Sequence, residues 1–167
     1  MMTAMRSFCF SAVLLLSLWA CTACKRDHSE ADKLLVPRLM IESRSVQYGS
    51  MHAVPLRLPV SGSEIMVEKV PVVNEFDIRN VEMVKVDMGL ALLIELSELG
   101  ARELYRRSVT HNGSRVVLVV NGNPLGARRL DGPIQNGQLF TFVEVNDAAV
   151  GPLVLELKSS IAELQAQ

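Results

Sequence analysis

The chain has 167 residues, of which 49% are hydrophobic, and this suits one globular domain of ordinary size. Its 17 Lys and Arg residues are balanced by 18 Asp and Glu residues, so the formal net charge at pH 7 is -1. A chain without a basic excess has no general electrostatic attraction to nucleic acid or to an anionic lipid surface. We therefore expect no nucleic-acid partner.

The N-terminal segment has the pattern of a bacterial export signal. Arg6 is followed by an uncharged apolar run over residues 8–19, and small residues and cysteines come next. This run is shorter than the roughly 20 residues that a transmembrane helix needs. Because a cysteine stands directly after the run, the segment resembles a lipoprotein signal, in which that cysteine carries the lipid. We predict a signal peptide over residues 1–20 and a protein of the bacterial cell envelope that faces the periplasm, held to a membrane only by its lipid.

Two cysteines compete for the lipid. Leu18 and Ala20 before Cys21 suit the lipoprotein pattern, although Trp19 is larger than usual for its position. Small residues precede Cys24, but they lack the leucine. We predict attachment at Cys21, with Cys24 as the alternative. The C-x-x-C spacing of the two cysteines reflects signal-peptide composition rather than a redox or zinc site, because no further ligands or strand–helix context accompany it.

Residues 21–50 are predicted to form a tether between the lipid and a folded domain. The stretch 25–33 is charged and polar, as a solvated spacer should be. The stretch 34–41 is more apolar but is interrupted by Pro37, and it either packs as a short helix or lies loose. Polar residues then return, so we place the domain at residues 51–167.

The first half of the domain has the alternating apolar pattern of strands. Four strands are predicted, over residues 54–58, 65–70, 80–88 and 90–96. The last of them is almost continuously apolar, which is typical of a central strand covered on both faces. Ser97 then stands at a helix N-cap position, and apolar residues at helical spacing follow it as far as the turn residues Asn112 and Gly113.

The second half of the domain repeats the change from strand to helix. Three strands are predicted, over residues 116–120, 124–130 and 138–145. Asn121 and Gly122 predict a tight turn between the first two. The chain closes with a helix capped by Asn146 or Asp147, and its regular part is expected to begin at Pro152, because proline suits a first turn. These elements predict an α+β fold in which a mainly antiparallel or mixed sheet packs against two helices.

Several local motifs, all of them packing or turn signatures, carry a family resemblance. They are VEKVP over 67–71, Asp77-Ile78, LSELGA over 96–101, a strand running into a glycine turn over 115–122, and the strand over 137–145. With the closing helix, they resemble the head part of the first periplasmic domain of SecD, a membrane subunit that assists the bacterial Sec translocase. The resemblance implies a domain that contacts an extended or partly folded exported chain, or a partner protein. Exposed strand edges offer a route for such binding.

The chain also departs from SecD. Family members usually carry a proline shortly after the glycine turn, where this chain has Arg128 and Arg129. SecD has six membrane-spanning helices that couple export to the proton gradient, and none is predicted here. We expect a stand-alone head that cannot use the proton gradient by that route. We also expect Arg128 and Arg129 to project from the sheet edge, free to contact a partner.

The sequence lacks the usual patterns of catalysis. His28, His52 and His111 have no metal-ligand spacing, and there is no nucleophile motif or phosphate loop. Glu95 interrupts an apolar strand, so it either lies on a solvated face or is a partly buried carboxylate that marks a functional site. We predict no enzyme activity, no metal and no cofactor.

The remaining charged and aromatic residues favour an ordinary surface and core. Arginines on the first helix are balanced by nearby Glu98 and Glu103, which is typical of a solvated face. The aromatic residues Phe76, Tyr105, Phe140 and Phe142 fall at positions that resemble core positions, which leaves no stacking platform for bases or sugars.

The sequence as a whole favours a membrane-anchored envelope lipoprotein that binds an exported polypeptide or an envelope protein without catalysing a reaction. Such a protein would be an accessory to protein export or to envelope maintenance. The alternative is a structural or regulatory lipoprotein that docks one fixed partner in a membrane complex. An uncharacterised envelope enzyme is the least favoured class.

Overall fold

The computed structural model describes residues 34–44, 52–87 and 89–167. The predicted signal peptide and both candidate lipid sites, Cys21 and Cys24, lie outside the described residues. The described elements, in chain order, are β1 (Pro37–Ile41), β2 (Ala53–Arg57), β3 (Glu64–Glu68), a 3-10 turn (Glu75–Asp77), β4 (Ile78–Val86), β5 (Gly89–Leu96), α1 (Glu98–Thr110), β6 (Arg115–Val120), β7 (Asn123–Arg129), β8 (Gln138–Thr141) and α2 (Asp147–Gln165). Antiparallel strands with two helices confirm the predicted α+β fold.

The strands of the described part of the chain form three antiparallel sheets. In the first, β6 lies between β1 and β7; the second is the β2–β3 hairpin; in the third, β5 lies between β4 and β8. The predicted tight turn between β6 and β7 is confirmed, because Asn121 and Gly122 both have positive φ, at 49° and 81°. A two-residue hairpin turn of this kind favours Asn followed by Gly.

β1 lies in the stretch that was predicted as tether, and the prediction is wrong there. Its residues pair along β6, and Leu39 and Ile41 are fully buried. The compact unit of the chain begins at Leu34. Pro37 does not prevent this, because it is the first residue of an edge strand, where a missing N–H is tolerated. The folded domain therefore begins well before residue 51.

The strand covered on both faces is β6, whereas the sequence predicted β5. Successive residues of β6 enter two different clusters of buried side chains: Val116 and Leu118 pack in the main core, and Val117 and Val119 pack under the β2–β3 hairpin. β5 is central in its sheet, as predicted, but only one of its faces is fully covered. Leu92 and Ile94 are buried there, while Leu93 and Glu95 are only half-buried on the other face.

Both helices pack one side against the main core. The predicted cap of α1 is confirmed: Ser97 Oγ accepts a hydrogen bond from the Gly100 N–H at 3.0 Å. Asn146 caps α2, accepting from the Ala148 N–H at 3.0 Å. The buried residues of α2 include Val150, Val154, Leu157, Ile161 and Leu164.

The position of Pro152 corrects the predicted start of α2. Pro152 lies inside the helix, and the helix begins at Asp147. Proline in a helix interior removes one backbone hydrogen bond. Val150, in the turn that precedes the proline, is almost fully buried, and this packing holds the first turn in place.

Candidate functional site

Arg128 and Arg129 do not behave alike. Arg128 Nη1 donates to the Phe140 carbonyl at 3.0 Å, which joins β7 to β8. The expectation that its guanidinium is free is therefore wrong. The Arg129 side chain is 72% exposed, and its Nε lies 3.8 Å from an Asp131 oxygen. Of the two, only Arg129 remains a proposed partner contact.

The path of the chain through and after β8 explains why the Arg128 guanidinium is hydrogen-bonded within the domain. β8 ends at Thr141, before the predicted end of the strand at residue 145, and the segment that follows passes close to β7. The Glu144 N–H donates to the Leu125 carbonyl at 2.7 Å. A side chain at Gly126 would collide with the Phe142 carbonyl oxygen, so glycine permits this approach. The segment covers part of the outer edge of β7.

Three other arginines form ion pairs with nearby carboxylates. On α1, Arg106 and Arg107 both contact Glu103, and hydrogen bonds from Arg106 hold the Glu103 pKa below its ordinary value. Arg115 pairs with Glu42, and its hydrogen bonds likewise hold the Glu42 pKa below its ordinary value. The predicted solvated, balanced surface accounts for these residues.

The aromatic residues that were expected in the core are exposed. The exposed fraction is 57% for Phe76, 43% for Tyr105, 37% for Phe140 and 38% for Phe142. For Phe140, in β8, the expectation failed because an alternating pattern does not state which face of a sheet is covered. Phe140 pairs with Leu93 on the half-buried face of the β4–β5–β8 sheet.

His111 lies at the end of α1 in a polar contact rather than in a catalytic arrangement. Its Nε2 is 3.4 Å from a Glu68 oxygen, and its Nδ1 is 3.0 Å from the Thr110 hydroxyl. That hydroxyl is also 3.2 Å from the Arg107 carbonyl, as is usual for threonine in a last helical turn. In the described ranges, no group of three or more His, Cys, Asp or Glu side chains could hold a metal ion.

Glu95 lies on the half-buried face of the β4–β5–β8 sheet, which we call the open face. It accepts hydrogen bonds from Asn80 Nδ2 and from Gln138 Nε2, each at 3.3 Å. Asn80 Nδ2 also donates to Glu82 Oε1 at 3.1 Å. The two carboxylates are thus held side by side through one amide. Glu95 is thus a half-buried carboxylate whose oxygens are bonded to two side-chain amides.

The outer side of β4 has unpaired backbone groups. Val86 pairs with Gly89 across a two-residue connection, which makes them a hydrogen-bonded pair. Such pairs alternate with non-hydrogen-bonded pairs along an antiparallel ladder. Val81, Met83 and Lys85 therefore direct their N–H and C=O groups away from β5. In the part of the chain that the structure describes, no other backbone group pairs with them.

The other sheet edges are shorter or are partly paired, including β3, whose outer side is bridged by Glu42 and Ser43. Leu39 of β1 exchanges hydrogen bonds with Val72 and Val73, at 2.8 and 3.0 Å. β2 carries Pro55 at its centre, and β8 has four residues. Proline and short length both hinder the addition of another strand. β4 has nine residues and no proline, so it is the longest edge among the described strands, although α2 packs against it and brings Lys158 to Glu82 and Gln165 to the Ile78 carbonyl.

In the described ranges these features define a class: an antiparallel α+β domain with an unpaired edge strand. No protein-family model matches the sequence, and a search of curated protein sequences finds no match. Solved structures do match the fold.

One similar structure is SecDF in a super-membrane-facing form, with a TM-score of 0.55 and 14% sequence identity. The alignment covers 75% of this chain and 19% of that one, so the domain spans about a fifth of that protein. A second is SecDF, described as a membrane component that enhances protein export; its TM-score is 0.55 with 15% identity, over 78% of this chain and 69% of that one. The resemblance to a SecD head is therefore confirmed as a likeness of fold.

Proposed function

We propose that this protein is a lipid-anchored module of the bacterial cell envelope that binds polypeptides and acts as an accessory to protein export or envelope maintenance. The observation that carries the proposal is the open edge of β4 on a fold shared with SecDF. An extended chain can add to such an edge through main-chain hydrogen bonds, which recognise any sequence. A module of this kind suits unfolded or extended partners.

The polar side chains of the described domain support binding rather than catalysis. Glu95 is bonded to two amides, and His111 contacts a carboxylate at a helix end. The one hydroxyl beside His111, that of Thr110, is bonded to the carbonyls of the last helical turn, as is usual for threonine there. The proposal therefore assigns no catalytic residue, no metal and no cofactor.

Anchoring in this proposal comes from the lipid on Cys21, or alternatively on Cys24. None of the helices in the described ranges has the length and apolar character to cross a membrane. Acyl chains contribute about 0.8 kcal/mol per buried methylene group, and more than one chain is needed for stable attachment. The domain would then face the periplasm on a tether that ends at about residue 33.

Crosslinking in intact cells followed by capture of the full-length protein tests this function. Recovery of many exported proteins in unfolded form would support a polypeptide-binding accessory. A single partner in fixed proportion would instead support a lipoprotein that docks one membrane complex. Recovery of neither would contradict both forms of the binding hypothesis.

A further inference from the structure

We propose that β4 accepts an extended polypeptide segment as an added strand, and that this segment carries a lysine or an arginine opposite Glu82. The inference rests on the proposed polypeptide-binding function and adds to it the position of the contact and the chemistry of the bound segment. It follows from the backbone of β4 and from the side chains of the open face.

The backbone of β4 offers a ladder of outward hydrogen-bonding groups. Val81, Met83 and Lys85 present outward N–H and C=O groups, spaced as the groups of an antiparallel or parallel neighbour require. The Ile78 carbonyl, at the start of the strand, is occupied by Gln165 Nε2 at 2.9 Å. The part of the edge with unpaired backbone groups therefore runs from Arg79 to Val86. α2 packs against the same strand, and a bound segment would displace Lys158 from Glu82.

The charged side chains of the open face are acidic. Glu82 and Glu95 share the amide of Asn80, and no Lys or Arg belongs to this face in β4, β5 or β8 as their pairing defines it. The cation nearest to Glu82 is Lys158 of α2, at 3.6 Å, and the two side chains are 42% and 46% exposed. An exposed pair of this kind contributes little, so Glu82 remains able to pair with another cation.

An added strand would place its own side chains directly beside those of β4. Residues opposite one another in a sheet have Cβ atoms about 5 Å apart, and opposite charges there stabilise the pair. The residue facing Glu82 would thus be favoured as a cation. Two positions along, the same face presents the half-buried Val84, which favours an apolar neighbour. The bound segment is therefore expected to have a basic residue and an apolar residue two positions apart.

A second copy of this chain fits the edge less well. Two copies of β4 that pair antiparallel about a two-fold axis keep the same face of the sheet on the same side. Lys85 lies on the face opposite to Glu82, because the two are an odd number of residues apart. Self-pairing therefore cannot bring Lys85 to Glu82, whereas a foreign segment can supply the cation.

The test uses the full-length protein in detergent and two synthetic nine-residue peptides. Both have Val at odd positions and Thr at even positions, except that the central residue is Lys in one peptide and Glu in the other. Fluorescence anisotropy of labelled peptides measures affinity. We expect the Lys peptide to bind about three- to tenfold more tightly, because an opposite-charge pair replaces a like-charge pair. Glu82→Lys should reverse this order, and Glu82→Gln should abolish it.

A backbone variant tests the edge itself. Met83→Pro removes an outward N–H without removing a bond to β5, and it should lower the affinity for both peptides at least tenfold. Met83→Thr keeps the N–H and should bind as the parent does. Circular dichroism establishes that each variant is folded. If Met83→Pro fails to fold, the Glu82 variants still test whether a bound segment lies beside β4 with its cation opposite Glu82.

The outcomes separate this inference from the proposed function. Equal affinity for the two peptides overturns the assignment of a cation opposite Glu82. Unchanged binding by folded Met83→Pro overturns β4 as the docking edge, even where capture from cells still recovers exported proteins. A concentration-dependent dimer that Met83→Pro abolishes, with no peptide binding, would assign the edge to a second copy and also overturn the inference.

Discussion

Arg115 and Glu42 join β6 to the residue that follows β1 through a two-pronged ion pair. Arg115 Nη2 lies 2.6 Å from Glu42 Oε1, and its Nε lies 3.1 Å from Oε2. The backbone N–H of Arg115 donates to the same Oε2 at 2.8 Å. These bonds from Arg115 hold the Glu42 pKa below its ordinary value, although burial opposes them. The pair stabilises the end of β1, the strand that the sequence pattern did not reveal.

The first prediction follows from the sign of that pKa shift. Glu42 is more acidic in the folded chain, so its contribution to stability is complete above the ordinary glutamate pKa of about 4.3. The contribution is lost as the pH falls through the lower pKa of the folded state. Glu42→Gln should reduce the free energy of unfolding by about 1.5–3 kcal/mol at pH 7, the range for hydrogen bonds to charged groups. Urea unfolding at pH 7 measures this loss of stability.

The difference in the free energy of unfolding between the parent and Glu42→Gln should narrow when the experiment is repeated at a pH below the pKa of Glu42 in the folded chain. Glu163→Gln, at an exposed position on α2, serves as the control and should be within about 0.5 kcal/mol of the parent at both pH values. A Glu42→Gln deficit that is the same at both pH values would contradict the proposed role of the carboxylate charge.

The second prediction concerns the packing of α2. Leu157 is 1% exposed, and Leu157→Ala should reduce the free energy of unfolding by about 2–5 kcal/mol, as truncation of a buried leucine usually does. Leu157→Asp should prevent folding. Leu155, on the same helix, is 70% exposed, so Leu155→Ala should stay within about 0.5 kcal/mol. Equal effects of the two alanine substitutions in thermal or urea unfolding would show that the helix face is assigned wrongly.

Local sequence patterns predicted most elements because they depend on nearby residues. The cap at Ser97, the turn at Asn121 and Gly122 and the apolar stripe of α2 are all formed by residues close in sequence. β1 was missed because its apolar stretch is short and contains Pro37. Its place is set by pairing with β6, which lies far along the chain.

The candidate site was harder to predict than the fold. The alternation in β4 indicated a strand, but it could not show that this strand lies at an edge, because an edge is defined by a missing neighbour. The contact of Asn80 with Glu95 likewise exists only through the pairing of β4 with β5. An isolated glutamate in an apolar run was the one sequence signal that pointed to the open face.

The third prediction tests the anchor. If Cys21 carries the lipid, Cys21→Ser should abolish metabolic labelling with a radioactive fatty acid and release the protein from the membrane fraction. Cys24→Ser should then leave the labelling and the membrane association unchanged. If Cys24→Ser abolishes them and Cys21→Ser does not, the lipid is on Cys24. Loss only in the double variant would mean that either cysteine can be used. Labelling that persists in the double variant would contradict the lipoprotein proposal.

The last prediction separates Arg129 from its neighbour Arg128. Arg129→Glu changes an exposed side chain, so the free energy of unfolding should stay within about 0.5 kcal/mol of the parent. Arg128→Glu removes the hydrogen bond to the Phe140 carbonyl and should cost about 0.5–1.5 kcal/mol. Reversal of a charge at the rim of an interface mainly slows association. If Arg129 contacts the partner, Arg129→Glu should therefore reduce capture in intact cells, whereas Arg102→Glu, an exposed change on α1, should not. Equal capture by both variants would remove Arg129 from the interface and leave β4 as the proposed contact.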